Sequence, residues 1–246
     1  MLRIGCVRYL NARPLTHGLP WEARFDHPGE LCRQLAEGKL DVALVSSFEF
    51  LRNPIYCIVD DLCIASRGPV YSVFVAHQET LSEVDEIAVD PNSRTAVNLL
   101  RCLLEEMGLN PQFTTEAFPV STRANPRSAR LLIGDQAIHF REDNPALRYW
   151  DLGEEWEKLT ALPFVYALWL IRPEVPFPEQ IGDSLRLCRD RNLADIDSIV
   201  RGESEFAPQF CADYIRRHLR YHFGPLERAG LERFRTMCIS HRILAG

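Results

Sequence analysis

The chain lacks long hydrophobic runs and an excess of basic residues. No apolar stretch in its 246 residues reaches the ~18–20 residues that a membrane-spanning helix needs. The formal net charge is −6, which argues against the basic face used to bind nucleic acids or anionic membranes. The chain does not begin with the pattern of a signal peptide, a basic segment followed by an apolar stretch, because Met1–Gly5 leads directly into a predicted strand. We therefore expect a cytoplasmic protein that binds neither nucleic acid nor membrane.

The usual signatures of metal and nucleophilic catalysis are also missing. The eight cysteines form no Cys-x-x-Cys pair, and there is no Gly-x-Gly-x-x-Gly, P-loop, His-Glu-x-x-His or Gly-x-Ser-x-Gly motif. His218 and His222 are four residues apart on a predicted helix, but their Arg-rich surroundings favour a solvated face. We expect buried free thiols, as in cytosolic proteins, and no metal site.

Strand and helix patterns alternate along most of the chain, which predicts largely parallel sheets covered by helices. After a Pro-rich break at residues 173–178, the pattern is helical to the end. The sequence therefore predicts an α/β protein with two lobes, residues 1–84 plus 175–246 and residues 85–174. The helical C-terminal segment should pack on the first lobe, and a ligand should bind in the cleft between the lobes.

The opening segment, Arg3–Leu15, is the most informative part of the chain. Its apolar run stops at Tyr9-Leu10-Asn11, and Pro14 follows, as is typical of the first turn of a helix. In open α/β sheets, ligands bind beyond the carboxyl ends of strands, where helix N-termini favour anions. Asn11 is therefore a candidate for holding a small anionic ligand. The alternative is that Asn11 caps the helix.

Five predicted loops share one chemistry, since each follows an apolar strand and carries small polar side chains. They are Tyr9–Asn11, Ser46–Glu49, Ser66–Ser72, Asn92–Thr95 and Gly134–Asp135. Hydroxyl and amide groups at such positions suit the recognition of carboxylates and hydroxyls. Helix capping is the simpler interpretation of any one loop, whereas a shared ligand site accounts for all five.

These motifs resemble those of a known family. The matching runs are Arg8–Leu15, Leu44–Glu49, Ile64–Val73, Asp90–Thr95, Leu131–Ala137, Asp151–Trp156 and Leu162–Trp169. Over residues 2 to about 170 the chain is similar to the chorismate dehydratases of the futalosine-dependent menaquinone pathway, and its helical tail has the expected length. The resemblance implies the type II periplasmic-binding-protein fold, used here by a cytoplasmic enzyme.

The resemblance implies a lyase that converts chorismate, a dicarboxylate, to 3-[(1-carboxyvinyl)oxy]benzoate without a cofactor. We expect Asn11 and Ser66 to be catalytic, with Asn11 bonded to the departing hydroxyl or to the ring substituents. The expected substrate-binding residues are Arg13, Ser46, Ser47, Gly68, Val70, Ser72, Ser93, Arg94, Thr95, Gly134, Asp135, Pro163 and Phe164. No histidine falls in these loops, so the base is left open between a protein group and the substrate's own enolpyruvyl carboxylate.

Other functions remain open at this point. A sister enzyme of the pathway has the same fold, makes 1,4-dihydroxy-6-naphthoate and uses a histidine in an Ile-His-Glu segment, where this chain has Ile133-Gly134-Asp135. A non-catalytic small-anion-binding protein would share the fold but would normally carry a secretion signal. The ligand-sensing domain of a transcription regulator would be accompanied by a helix-turn-helix, which the chain lacks. The sequence leaves the oligomeric state open.

Overall fold

A computed structural model describes residues 2–115 and 126–245 of the chain. Its strands are β1 (Ile4–Cys6), β2 (Ala23–Phe25), β3 (Val42–Ser46), β4 (Cys57–Ser66), β5 (Val73–His77), β6 (Glu86–Ala88), β7 (Gln112–Thr114), β8 (Ser128–Ile133), β9 (Arg148–Asp151) and β10 (Phe164–Ile171). Its helices are α1 (Arg13–Thr16), α2 (Pro28–Ala36), α3 (Ser47–Arg52), α4 (Arg94–Glu106), α5 (Gly134–Asp143), α6 (Leu152–Thr160), α7 (Pro178–Ala194), α8 (Ile196–Val200), α9 (Pro208–His218) and α10 (Pro225–Ser240). The expected lobe ranges also include Met1, residues 116–125 and Gly246, which lie outside the described residues.

Local sequence signals explain most element boundaries. Helix α2 begins at Pro28, whose missing N–H is not needed in a first turn, and ends before Gly38, whose φ is +70°. Along α4, the apolar residues Val97, Leu100 and Leu104 recur at helical spacing and are buried. These patterns bury one face of each helix against a sheet, which confirms the expected α/β class.

The described strands form two five-stranded sheets, and in each sheet four strands share one direction while one strand opposes them. The first has the order β2-β1-β3-β10-β4, and the second has the order β7-β6-β8-β5-β9. Strand β10 runs antiparallel to both β3 and β4, and β5 runs antiparallel to both β8 and β9. The sheets are therefore largely parallel, as predicted, and each contains one antiparallel strand that the alternating pattern did not indicate.

The expected lobe boundaries are corrected by the same two strands. Strand β5 was assigned to the first lobe, which was expected to continue to residue 84, but it pairs in the second sheet. Strand β10 was assigned to the second lobe, which was expected to continue to residue 174, but it pairs in the first sheet. The chain therefore crosses between the lobes at residues 67–72 and 152–163. Both strands are apolar enough for either sheet, so their composition does not indicate which one they join.

The helical C-terminal segment packs on the first lobe, as expected. Helix α7 contacts α1 and β4, and α10 contacts β10. An isolated bridge also pairs Arg220, in the segment after α9, with Ala65 of β4. Helix α9 ends at His218, so the interpretation of His218 and His222 as one helical face was wrong. Among the described helices, none combines the length and the apolar character needed to cross a membrane.

The eight cysteines carry free thiols, and seven of them are buried, as expected. The exception is Cys57, at the exposed start of β4. Burial raises the pKa of the Cys6 and Cys32 thiols to about 12, so neither is ionised at neutral pH. These thiols therefore act as small apolar groups of the core.

Candidate functional site

The candidate site is a cavity between the two lobes, at the ends of strands from both sheets. Its walls are mostly apolar, and polar atoms face it from loops and helix starts. The lining residues are Val7, Tyr9, Asn11, Pro28, Leu44, Val45, Ser46, Ile64, Val70, Val73, Asn92, Ser93, Arg94, Thr95, Ala96, Ile133, Gly134, Tyr166, Ala167 and Leu219. An apolar pocket with a few convergent polar groups is the usual form of a small-molecule site.

Seven of the expected site residues line this cavity. They are Asn11, Ser46, Val70, Ser93, Arg94, Thr95 and Gly134. They come from all five predicted strand-end loops, so the cavity unites loops that are distant in the sequence. Their individual roles toward a substrate stay predictions.

Asn11 has an unpartnered acceptor at the cavity. It lies in a 3₁₀ turn, Leu10–Ala12, which precedes the single-turn helix α1, and its side chain caps neither element. Its amide oxygen Oδ1 is buried and has no hydrogen-bond partner. A buried carbonyl oxygen without a partner costs about 1–3 kcal/mol, so an incoming donor would be bound there. Helix capping does not explain Asn11.

Hydroxyl groups gather at the start of α4. Ser93 and Ser46 hold the cap positions of α4 and α3, yet neither side chain makes a capping hydrogen bond. Thr95, in the first turn of α4, bonds Ser46 through its hydroxyl and accepts from the backbone N–H of Phe48 at 3.2 Å. The first backbone N–H groups of a 13-residue helix such as α4, with the helix dipole, favour an anion. This corner of the cavity therefore suits a carboxylate.

Arg94 is at the cavity, but its charge is already compensated. Its Nη1 lies 2.9 Å from Oε2 of Glu49, which is fully buried, and Arg52 Nη2 lies 2.8 Å from the same oxygen. Arg94 is the one charged residue among the lining residues of the described chain. The guanidinium of Arg94 therefore holds α4 against α3, joining the lobes beside the cavity, and the expectation that Arg94 also binds substrate stays a prediction.

Asp135 and Arg13 lie behind the cavity rather than in its lining. Asp135 accepts hydrogen bonds from the backbone N–H of Leu10, with N···O distances of 2.9 and 3.1 Å, and Arg13 pairs with Glu203. Burial raises the pKa of Asp135 to about 6, and the negative charges of Glu205 and Glu203 add to the shift. Asp135 thus ties α5 of the second lobe to the turn that carries Asn11.

Four other expected site residues support the cavity from outside. Ser47 Oγ donates to the Val165 carbonyl at 2.7 Å, and Ser72 Oγ lies 2.7 Å from the Tyr214 hydroxyl. Ser66 Oγ donates to the carbonyl of Gly68 at 3.2 Å. None of the four lines the cavity, because their polar groups are directed at neighbouring protein groups.

Val70 reaches the cavity because a buried carboxylate holds its loop. Asp151 accepts from the backbone N–H groups of Val70 and Tyr71 at 3.0 and 2.7 Å. The same side chain caps α6 through the N–H groups of Gly153 and Glu154. Burial raises the pKa of Asp151, and the four N–H donors act in the opposite direction.

Pro163 and Phe164 belong to the core and not to the cavity lining. The Pro163 carbonyl accepts from Trp156 Nε1 at 3.2 Å. The Phe164 ring is 1% exposed and packs edge-on against Trp156 and Phe234, with centroids 5.1 and 5.0 Å away. Neither residue lines the cavity, so their contact with substrate, which only the family resemblance implied, stays a prediction that this geometry does not support.

Thirteen of the twenty lining residues were missing from the predicted set, among them Tyr9, Asn92, Tyr166 and Leu219. The Tyr9 ring covers Gly134, where φ is +64° and an added Cβ would lie 3.2 Å from the ring, so the contact requires glycine. Asn92 and Tyr166 both lie in runs that the sequence analysis singled out, and Tyr166 occupies the bulge of β10. Leu219 comes from the C-terminal segment, and nothing in its local sequence indicates a place at the cavity.

Comparisons with known proteins identify what this chain resembles. A family model described as menaquinone biosynthesis matches residues 2–240. A protein of Thermus thermophilus named chorismate dehydratase is 32% identical over 257 aligned residues, which cover 94% of this chain and 93% of the relative.

Solved structures show the same fold. Protein AF1704 of Archaeoglobus fulgidus superposes with a TM-score of 0.75 at 19% identity, covering 99% of this chain and 98% of the other. The CA3427 gene product of Candida albicans, described as having the generic periplasmic-binding-protein fold, gives 0.66 at 10% identity, covering 100% and 91%. The expected periplasmic-binding-protein-like fold is confirmed.

Proposed function

This chain belongs to the menaquinone-biosynthesis family, and we propose that it is a chorismate dehydratase, acting in the cytoplasm on chorismate. The proposed reaction removes water from chorismate and releases 3-[(1-carboxyvinyl)oxy]benzoate. One observation carries the residue assignment: Asn11, whose buried Oδ1 has no hydrogen-bond partner, lines the same cavity as the serine and threonine residues at the start of α4. An acceptor and a set of donors are thus available to a ligand that has both a hydroxyl and carboxylates.

The chemistry sets three requirements for the site. A proton leaves C3 of the ring and hydroxide leaves C4, so together they form water and the ring becomes aromatic. The C3 proton is acidic through the C1=C2 double bond, because its loss places charge on the ring carboxylate. The site must hold that carboxylate with donors, orient the C4 hydroxyl and provide a base at C3. Aromatisation supplies the driving force, so the proposed reaction needs no cofactor.

We assign the orientation of the C4 hydroxyl to Asn11. Its Oδ1 can accept the hydroxyl hydrogen and so orient the C–O bond that breaks, and the proton taken from C3 then passes to the departing oxygen to form water. The donors for a carboxylate are Ser46, Ser93, Thr95 and the first N–H groups of α4. Donors placed where negative charge develops in a desolvated site stabilise the transition state more than they would in water.

The base is proposed to be the enolpyruvyl carboxylate of the substrate. Among the lining residues of the described chain there is no histidine, aspartate or glutamate, and the guanidinium of Arg94 is paired with Glu49. The enolpyruvyl ether is attached to C3 itself, so its carboxylate is close to the proton that leaves. The protein then acts by orienting the substrate and by electrostatic stabilisation.

The test is to incubate the purified protein with chorismate and to follow the products by chromatography with mass detection. Loss of one water, with an aromatic absorption spectrum and dependence on active protein, is the expected result. Heat-denatured protein is the control for spontaneous chorismate decay. Unchanged chorismate with a rise in melting temperature would contradict catalysis and indicate a binding protein. Unchanged chorismate without a shift would direct the assay to the substrate of the naphthoate-forming sister enzyme.

A further inference from the structure

We propose that Cys102 and Cys238 form a modification site, a pair of thiols that a peroxide oxidises to a disulfide linking the two lobes. Cys102 lies in α4, which connects β6 and β7 of the second sheet, and Cys238 lies in α10, which packs on β10 of the first sheet. The inference goes beyond the proposed function, because formation of this bond does not depend on the reaction that the cavity supports.

The two sulfur atoms are already in contact. Both residues carry free thiols, and their Sγ atoms lie 3.7 Å apart although the residues are 136 positions apart in the chain. A disulfide bond is about 2.05 Å long, so the sulfurs must approach by about 1.7 Å. Rotation about the Cα–Cβ bonds, with a small shift of the two helices, provides that approach.

A second contact holds α4 and α10 in the same alignment. Nε2 of His241, the residue directly after α10, lies 2.9 Å from Oε1 of Glu106, the last residue of α4. Glu106 follows Cys102 by about one helical turn, and His241 follows Cys238 by nearly as much. The two contacts therefore succeed one another along the helix pair, which keeps the thiols opposite each other.

Burial determines when the pair can react. Cys102 and Cys238 are both 0% exposed. The hydrogen bond with Cys238 and the burial of the site raise the pKa of the Cys102 thiol far above its usual range. Because an oxidant reacts with the exposed thiolate, the first step requires α4 and α10 to separate. These helices belong to different lobes, so movement of the lobes controls the access of the oxidant.

The oxidation takes place in two steps, with a peroxide as the oxidant. One thiol is oxidised to a sulfenic acid as its sulfur attacks a peroxide oxygen, the O–O bond breaks, and the other oxygen leaves as water. When the helices meet again, the second thiol attacks the sulfenic sulfur. The S–S bond forms, the S–O bond breaks, and a second water leaves.

The bond would act on the cavity through α4. Ser93 and Thr95, at the start of this helix, line the cavity, so a disulfide at Cys102 fixes one cavity wall relative to the first lobe. Ligands enter and leave such clefts when the lobes separate. We therefore expect the disulfide to slow ligand exchange, and a reductant to reverse the effect.

The test is to treat the purified protein with hydrogen peroxide, block the remaining thiols and search for linked peptides by mass spectrometry. We expect the peptides of Cys102 and Cys238 to be joined with the loss of two hydrogens, and to separate after reduction. Cys102→Ala and Cys238→Ala should each abolish the link. Cys57→Ala is the matched control, because it removes an exposed thiol and should leave the link unchanged.

Turnover of chorismate is the second measurement. The cross-linked wild type should lose most of its turnover and regain it with reductant, whereas Cys102→Ala should keep its own rate through the same treatment. If the linked peptides are absent once Cys57 is oxidised, or if the cross-linked protein retains full turnover, the proposal is overturned. A wild type that leaves chorismate unchanged before oxidation would refute the proposed function instead, and the linked peptides would still decide whether the disulfide forms.

Discussion

Arg94 of the second lobe holds the fully buried carboxylate of Glu49 in the first lobe, with 2.9 Å between Nη1 and Oε2. The pair lies beside the cavity, and Arg52 contributes a second contact to the same carboxylate. Because a buried charge must be compensated within the protein, this contact makes the free energy of unfolding depend on how the two lobes are packed together.

Glu49→Gln should lower the free energy of unfolding by about 1–3 kcal/mol. The loss stays moderate because the side chains of Arg94 and Arg52 are 32% and 48% exposed and can be hydrated. Urea unfolding followed by circular dichroism measures it. The control is Glu37→Gln, which removes an exposed carboxylate paired with Arg33, and equal losses in both variants would contradict a special role for Glu49.

Asn11→Ala should lower kcat by about 10²–10³-fold, the usual effect of removing one preorganised polar group from a reacting centre. The melting temperature should change little, because the Asn11 side chain caps no helix and its Oδ1 has no protein partner. Steady-state dehydration of chorismate measures kcat, and a thermal scan measures the melting temperature. Turnover at the wild-type level would refute the role assigned to Asn11.

The pH dependence of stability should contain a contribution from Asp135. Burial raises its pKa from 3.8 to about 6, so the folded protein binds this proton more tightly than the unfolded chain does. The contribution of the protonated Asp135 carboxyl to the free energy of unfolding is fully present below about pH 4, and it is lost as the pH rises through about 6. Between pH 4 and pH 7, the wild type should lose about 1–3 kcal/mol relative to Asp135→Asn.

Unfolding curves for the wild type and Asp135→Asn at both pH values test this. Asp183→Asn, at an exposed carboxylate of α7, serves as the control and should follow the wild type. A constant difference between the wild type and Asp135→Asn across the pH range would show that Asp135 does not titrate there.

Gly230→Ala should destabilise the protein, although alanine normally favours helices over glycine. A Cβ at this position of α10 would lie 2.0 Å from the Pro163 carbonyl oxygen, so the backbone must move. We expect a loss of about 1–3 kcal/mol, as for overpacking elsewhere, measured by urea unfolding. Gly202→Ala, where nothing lies within 4 Å of the new Cβ, should be nearly neutral, and a neutral Gly230→Ala would show that α10 can shift freely.

Local sequence patterns predicted the polar part of the cavity well. Asn11, Ser46 and Ser93 follow apolar strands and line the cavity. They could be predicted because the end of a strand can be recognised from a few neighbouring residues. The pairing of Glu49 with Arg94 spans 45 positions and has no local signal. For the same reason the pattern did not indicate that Arg94 is already paired.

The same distinction applies to the fold. The strands β5 and β10 were recognised from their apolar runs, but the sheet that each joins depends on partners far along the chain. Leu219 reaches the cavity only because α9 folds back over the first lobe. The resemblance to the family predicted the fold and the reaction. It did not predict the contacts that the structure shows for Ser66, Ser72, Pro163 and Phe164.

The position of β10 has a consequence for biosynthesis of the protein on the ribosome. In the first sheet, β10 lies between β3 and β4, so β4 has no strand neighbour until β10 arrives. The nascent chain must therefore extend beyond Ile171 before the first sheet can be completed. Until then β4 cannot form its backbone hydrogen bonds with β10. A gene truncated between the two lobes would encode neither lobe intact. The two lobes have separate sheets but form one unit in folding and inheritance.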